Sequence, residues 1–361
     1  MDKSLYKDTL NFYIQLYKFA PQGNQLRRLM QHVAMIVACF ETKRSTVDAL
    51  SMKKKGTQKK NSLLQNSKRY LKNKWVDYET FFHPLALSIL EKVAKKLEII
   101  FVIDGSQIGN HTVLMISVLW QNMAIPIIWT LRKGEKGHFL EEMHVELLNQ
   151  LAAFVPKNCR CVLLGDGEFD GFDLRDVCLK NTWEFVLRTT KNRKIKLDDE
   201  IGHASDAYPF PNEEVFMIPD AVDGINLICW HKSTYDKPIY LLTNMDLDLM
   251  ACEYYKRRFE IENMFKRMKS QGFNIDKTRI TETDRLDRLL MVTCAAYLLL
   301  SEFGRFLKET YSPKELEHIV CKDRLPKMTF LTIAWKAIKA DLQLALNFFS
   351  EISKNTQWLF T

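Results

Sequence analysis

The chain has 361 residues, 47% of them apolar and 27% charged, with a formal net charge of +8. That balance describes a globular chain long enough for a full core and two or three substructures. It excludes a disulfide scaffold, because eight cysteines are scattered over the length, and no unbroken apolar run reaches the roughly 18–20 residues of a membrane helix.

The first residues, "MDKSLYKDTL", contain neither a continuous apolar core nor a small-residue cleavage site. A cytoplasmic, nucleoid-associated location with no membrane partner is therefore expected. Residues 1–92 read as a helical region. "QLRRLMQHVAMIVACF" carries apolar residues at helical spacing, "STVDALS" opens on a Ser/Thr cap, "NSLLQNSKRYLKN" is basic on one side, and Pro84 opens "PLALSILEKVAKKL". Short helices joined by a basic loop loosely match a helix-turn-helix arrangement. Charge is concentrated here. From Lys43 to Lys74 there are eleven basic residues and one acidic one, Asp48, giving 11 − 1 = +10. Lys53, Lys54, Lys55, Lys59 and Lys60 form its densest part. Such a block suits phosphate neutralisation with counter-ion release, and double-stranded DNA is the expected partner.

At residue 97 the pattern changes. "LEIIFVIDGS", "HTVLMISVLW" and "AIPIIWTLR" follow one another closely and predict an antiparallel meander. A helix ("HFLEEMHVELLNQLAAFV"), a strand ("RCVLLGDGE"), a helix ("FDLRDVCLKN") and a strand ("WEFVLRTT") complete a β-β-β-α-β-α-β order. The fold class is α/β, a mixed sheet with helices packed on it. The core spans 93–310, interrupted by a β-rich insertion at 199–245, and a helical, amphipathic C-terminal region covers 311–361. After Asn244 one long helix is expected, ended by Gly272.

Asp104 and Asp166 each follow an apolar strand and precede glycine. Each Asp-Gly alone reads as a turn. Two of them at sheet edges in an alternating fold can instead hold Mg²⁺ together with phosphate oxygens. Glu168, Asp170 and Asp173 rank lower, as acids near a helix N-terminus. On the later helix, Tyr255, Arg258, Glu262 and Lys269 fall on one stripe about 60° wide at 100° per residue. Glu260 falls on the far side, as an ordinary surface acid. An ordinary helix would pair Glu262 with Lys266, which leaves the other three polar residues of the stripe unexplained.

The spacing Tyr255, Arg258, Glu262, Lys269 matches the signature Y-(2)-R-(3)-E-(6)-K, and "IDGSQIGN", "IPIIWTL", "LLGDGEFDG" and "QGFNIDKTRITE" add context over roughly 97–305. On these residues the chain resembles the "IS-four" family of bacterial insertion-sequence DDE transposases, with Phe259 where that family usually has Trp and Gly167 where it commonly has Arg. The resemblance implies a ribonuclease-H-like catalytic core with Asp104, Asp166 and Glu262 as ligands of two Mg²⁺ ions, for which Mn²⁺ could substitute. Such an enzyme cuts at element ends and joins them to target DNA. Tyr255, Arg258, Lys269 and Lys266 would then contact DNA, Arg188 a phosphate, and Trp230 a flipped base. It also implies a homodimer on paired ends, an expectation shared by the amphipathic C-terminal helices. A metal-dependent nuclease without integration and a catalytically silent DNA-binding derivative remain as alternatives.

Overall fold

A computed structural model describes residues 2–17, 20–51, 60–134, 139–197, 200–207 and 214–355. Five helices come first: α1 (Lys3–Leu16), α2 (Gly23–Thr42), α3 (Lys60–Lys72), α4 (Tyr78–Phe81) and α5 (His83–Ala94). The Asp2 carboxylate caps α1 by accepting from the Ser4 and Leu5 N–H groups. "STVDALS" yields only a 3₁₀ turn at Ala49–Ser51. The meander is β1 (Glu98–Ile108), β2 (His111–Trp120) and β3 (Met123–Lys133). Then follow α6 (Glu141–Ala152), β4 (Arg160–Gly165), α7 (Phe172–Lys180) and β5 (Glu184–Thr189).

The β-β-β-α-β-α-β order is thus present, and the meander with its two crossovers places the strands 3-2-1-4-5. β1 pairs antiparallel with β2 and parallel with β4, and β4 pairs parallel with β5. All ten residues of β2 are buried, as expected of a strand covered on both faces. This is the mixed α/β sheet with connecting helices expected from the sequence.

The region after β5 contains a small hairpin, β6 (Lys194–Leu197) with β7 (Glu200–His203), and three longer strands, β8 (Val215–Val222), β9 (Ile225–Trp230) and β10 (Ile239–Thr243). Those three strands do not stand apart from the core. β10 pairs antiparallel with β5, and the sheet continues through β9 to β8, giving eight strands in one sheet.

The single helix expected after Asn244 is two: α8 (Asp248–Arg257) and α9 (Phe259–Met268), with the break at Arg258. Lys269 caps α9, and the Phe273 N–H donates to Arg267 O at 3.0 Å. A Cβ on Gly272 would meet that same Arg267 carbonyl oxygen at 1.9 Å, so only glycine closes this end.

α10 (Thr283–Thr310), α11 (Phe330–Ala340) and α12 (Leu342–Lys354) complete the chain. By length and composition alone α10 could cross a membrane, contrary to the sequence expectation, yet 94% of its apolar window is buried inside the protein. It packs against β3, α9, α2, α3 and α11. The amphipathic C-terminal helices are also used within the chain: α12 packs on α1 and α11, and Gln15 donates a hydrogen bond to the Ser353 carbonyl. Their apolar faces are therefore no argument for a dimer. All eight cysteines are free thiols, including Cys159 and Cys161, whose sulfurs lie 3.9 Å apart.

Candidate active site

Sheet register brings the two aspartates together. Val102 on β1 pairs with Leu164 on β4, so two residues further along these parallel strands Asp104 and Asp166 reach the same level. Neighbouring strands are about 4.8 Å apart, which makes the carboxylates immediate neighbours. The turn expected at Asp104-Gly105 does not form: β1 runs on to Ile108, and the chain reverses at Gly109, where φ is +59°. After Asp166 there is a turn, with the Phe169 N–H donating to Asp166 O and the Glu168 N–H to Asp166 Oδ1 at 3.0 Å. Gly165 lets that turn fold back, since a Cβ there would lie 2.9 Å from Phe169 Cβ and 3.0 Å from Leu187 Cδ2.

The α8–α9 segment supplies the third carboxylate. Arg258 Nη2 donates to Glu262 Oε1 at 2.6 Å, and Arg258 Nη1 lies 3.9 Å from Asp104 Oδ2. The Arg258 guanidinium carbon sits 5.7 Å from the Tyr255 ring centre. Lys269 Nζ donates to Ser106 Oγ at 2.5 Å. Ser106 is two residues beyond Asp104 on β1, hence on the same sheet face. The four residues of the stripe do converge on one edge of the sheet, despite the break in the helix. Glu262 pairs with Arg258 rather than Lys266, whose exposed ammonium lies over the Phe259 ring at 4.6 Å. Glu260 points elsewhere, as expected, but it is half-buried and not a plain surface acid. It lines a separate cleft with Asn122, Asn263, Arg267 and Lys308.

Electrostatics single out Asp104. Its side chain is 14% exposed. Burial, with the Asp166 and Glu262 charges added, pushes its carboxyl up to about 7, against the opposing pull of Arg258 and the Gly105 N–H. Burial likewise raises the Tyr255 hydroxyl, partly offset by Arg258 and Arg188. Arg188, at the exposed end of β5, therefore lies within electrostatic reach of Tyr255, which in turn feels Asp166.

Three hard carboxylate donors with an excess of negative charge suit Mg²⁺ or Mn²⁺, so the donor chemistry fits a divalent ion. Among the described residues no three His, Cys, Asp or Glu side chains are already gathered as a ligand set, and Glu262 is bonded to Arg258. Glu168 and Asp170 have structural partners, and Asp173 has a place at a helix start. Glu168 accepts from the Phe139 N–H at 2.6 Å, Asp170 pairs with Arg193, and Asp173 sits in the first turn of α7.

Two expectations need correction or narrowing. Trp230 is 2% exposed in β9 and packs edge-on against Tyr235 at 5.3 Å, so its ring is part of the core and offers no face to a base. Lys53, Lys54, Lys55 and Lys59 lie outside the described residues, as does the side chain of Lys60 at the start of α3.

Sequence reading missed two polar clefts. One, of about 700 Å³, adjoins Asp166 and is lined by Arg188, Lys191 and Lys237 with Thr189, Thr190 and Tyr240. The other, of about 560 Å³, lies between α2 and α3 and is lined by Arg27, Arg28, Arg69, Asn24, Gln31, Asn66 and Asn73. Beside it Trp75 is 61% exposed, with Arg28 and Lys74 over its ring. Stretches 23–31 and 60–75 contain seven basic residues and no acid (Arg27, Arg28, Lys60, Lys68, Arg69, Lys72, Lys74). That second signal was legible, had the pairing of the two helices been known.

Residues 140–299 match the family described as transposase DDE domain. The matched stretch includes Asp166, Glu262 and the whole α8–α9 segment, and begins after Asp104. It supports a DDE transposase, an enzyme acting on DNA, and domains of this kind generally use divalent metal ions. No curated protein matches the chain. Among solved structures the chain is similar to the piggyBac transposase in a synaptic complex with hairpin DNA, at 9% identity and a TM-score of 0.44, covering 98% of this chain and 83% of that one.

Proposed function

We propose that this chain is an insertion-sequence transposase with the Y-R-E-K signature, which cuts at the ends of its element and joins them to target DNA. The observation that carries the reading is the placement of Asp104 beside Asp166, with Glu262 within electrostatic reach of Asp104 and Arg258 between them, and with Arg188 and Lys269 nearby. Asp104, Asp166 and Glu262 would hold two Mg²⁺ ions, with Mn²⁺ able to substitute. When bound, such ions neutralise charge on the phosphate and activate the attacking water or 3′-hydroxyl.

The remaining work belongs to side chains. Arg258 and Tyr255 orient a terminal phosphate. Lys269, held on β1 by Ser106, places a positive charge two residues from Asp104. Arg188, Lys191 and Lys237 guide a strand past Asp166. The arginines and amides of the α2–α3 cleft grip duplex DNA, as arginine, asparagine and glutamine contact phosphates and base edges, together with the lysine loop. A homodimer fits this reading, because each of two paired ends needs its own set of carboxylates.

The test is incubation with a candidate terminal repeat taken from the DNA flanking the gene, with Mg²⁺, followed by mapping of cut and joined strands. Glu262→Gln should abolish cutting and leave end binding intact, while Glu260→Gln should still cut. The reverse result would sink the assignment of the glutamate. Cutting without joined products would replace transposase by nuclease.

A further inference from the structure

The arrangement of Arg258 goes beyond a phosphate contact. Its Nη2 is bonded to Glu262 and its Nη1 lies 3.9 Å from Asp104, so one guanidinium stands between two of the three carboxylates. Nη1 is buried and has no hydrogen-bond partner. The side chain springs from the junction between α8 and α9, not from the middle of a regular helix. The partner an ordinary helix would offer Glu262, Lys266, is engaged with Phe259 instead.

We infer that Arg258 is a resident counter-cation that keeps Glu262 from a metal ion until a DNA phosphate takes the guanidinium away. The inference rests on the reading that these carboxylates hold the metal. A guanidinium does not lose its proton, so it cannot yield to a divalent cation by neutralising itself. It has to move, and a largely buried guanidinium moves most readily to another anion. Phosphate is the best match, since it accepts two parallel N–H bonds from the same fork. Once Arg258 is on a phosphate, Glu262 is free to turn to Asp104 and Asp166. DNA binding and metal binding are then linked through one side chain, and each strengthens the other by the same factor. The protein without DNA holds its metal poorly.

The test reads metal binding, not activity. Mn²⁺ is titrated into wild type, Arg258→Met and Arg258→Lys, and free Mn²⁺ is followed by electron paramagnetic resonance, with and without a mixed-sequence duplex at low salt. Without DNA, Arg258→Met should bind Mn²⁺ about tenfold more tightly than wild type or better, in the usual range of coupling, with Arg258→Lys between them. After subtraction of the Mn²⁺ held by the duplex alone, the duplex should tighten Mn²⁺ binding to wild type clearly more than to Arg258→Met. Circular dichroism confirms that both variants fold, and Arg258→Lys keeps the charge if Arg258→Met does not fold. Equal or weaker Mn²⁺ binding by the folded variants without DNA overturns the inference. A wild-type affinity that ignores the duplex overturns the coupling. If, with the duplex present, Glu262→Gln and Asp104→Asn bind Mn²⁺ as wild type does, it is the reading of the carboxylates as metal ligands that has failed.

Discussion

Asp104→Asn should stabilise the metal-free protein, and more so at high pH. The Asp104 carboxyl is raised from 3.8 to about 7, chiefly by burial and then by Asp166. A raised carboxyl contributes stability that is fully present below pH 3.8 and is lost as pH rises through about 7, because the folded protein must then carry a charge it disfavours. The unfolded chain ionises freely above pH 3.8. At about 1.4 kcal/mol per pH decade, the rise corresponds to about 4 kcal/mol at most. The attraction of Arg258 is already contained in that figure, since it acts on the same carboxyl. Asparagine carries no such charge. The gain of Asp104→Asn should therefore be about 2 kcal/mol at pH 5.5 and about 4 kcal/mol at pH 8.5. Urea unfolding at the two pH values, in EDTA, measures it. Added Mg²⁺ should then raise the stability of wild type and not of the variant. A gain equal at both pH values, or a less stable variant at pH 8.5, would refute the argument that Asp104 is held ionised at a cost.

Three other perturbations separate structure from DNA contact. Trp230→Phe should lower stability by about 1–2 kcal/mol through a core cavity, leaving DNA affinity unchanged in a gel-shift titration. Arg288→Met should cost about 3–5 kcal/mol in denaturant unfolding, because buried Arg288 donates to the carbonyls of Val76, Leu71 and Asp284 and its loss strands them. Replacing Arg27, Arg28 and Arg69 together by alanine should weaken DNA binding and reduce the salt slope by about 0.9 per lost phosphate contact. An unchanged slope would remove the α2–α3 cleft from the DNA-binding surface.

Much of the core was legible because its signals are local. The apolar, β-branched runs at 97–133 announce strands whatever surrounds them, and the Tyr255–Lys269 spacing announces a stripe because helical geometry repeats. The pairing of Glu262 was not legible. Helical spacing puts Arg258 and Lys266 each four residues away and favours Lys266; in the folded protein Glu262 pairs with Arg258, with Asp104 on the guanidinium's other side and Lys266 over Phe259. Trp230 failed for a related reason. A tryptophan on a short strand looks available until β10 and β8 are found on either side of β9.

The β-β-β-α-β-α-β order, the two aspartates following apolar strand runs and the concentration of positive charge near the N-terminus could all be read from the sequence. Each follows from periodicity or composition over a few residues. Tertiary structure alone decided that β1 and β4 lie side by side in a register that makes Asp104 and Asp166 neighbours. It also decided that residues 215–243 extend the same sheet, and that the apolar length of α10 is spent on the core. These depend on contacts between segments far apart in the chain. Burial then did what no spacing records: it raised the Asp104 carboxyl and set one arginine between two acids.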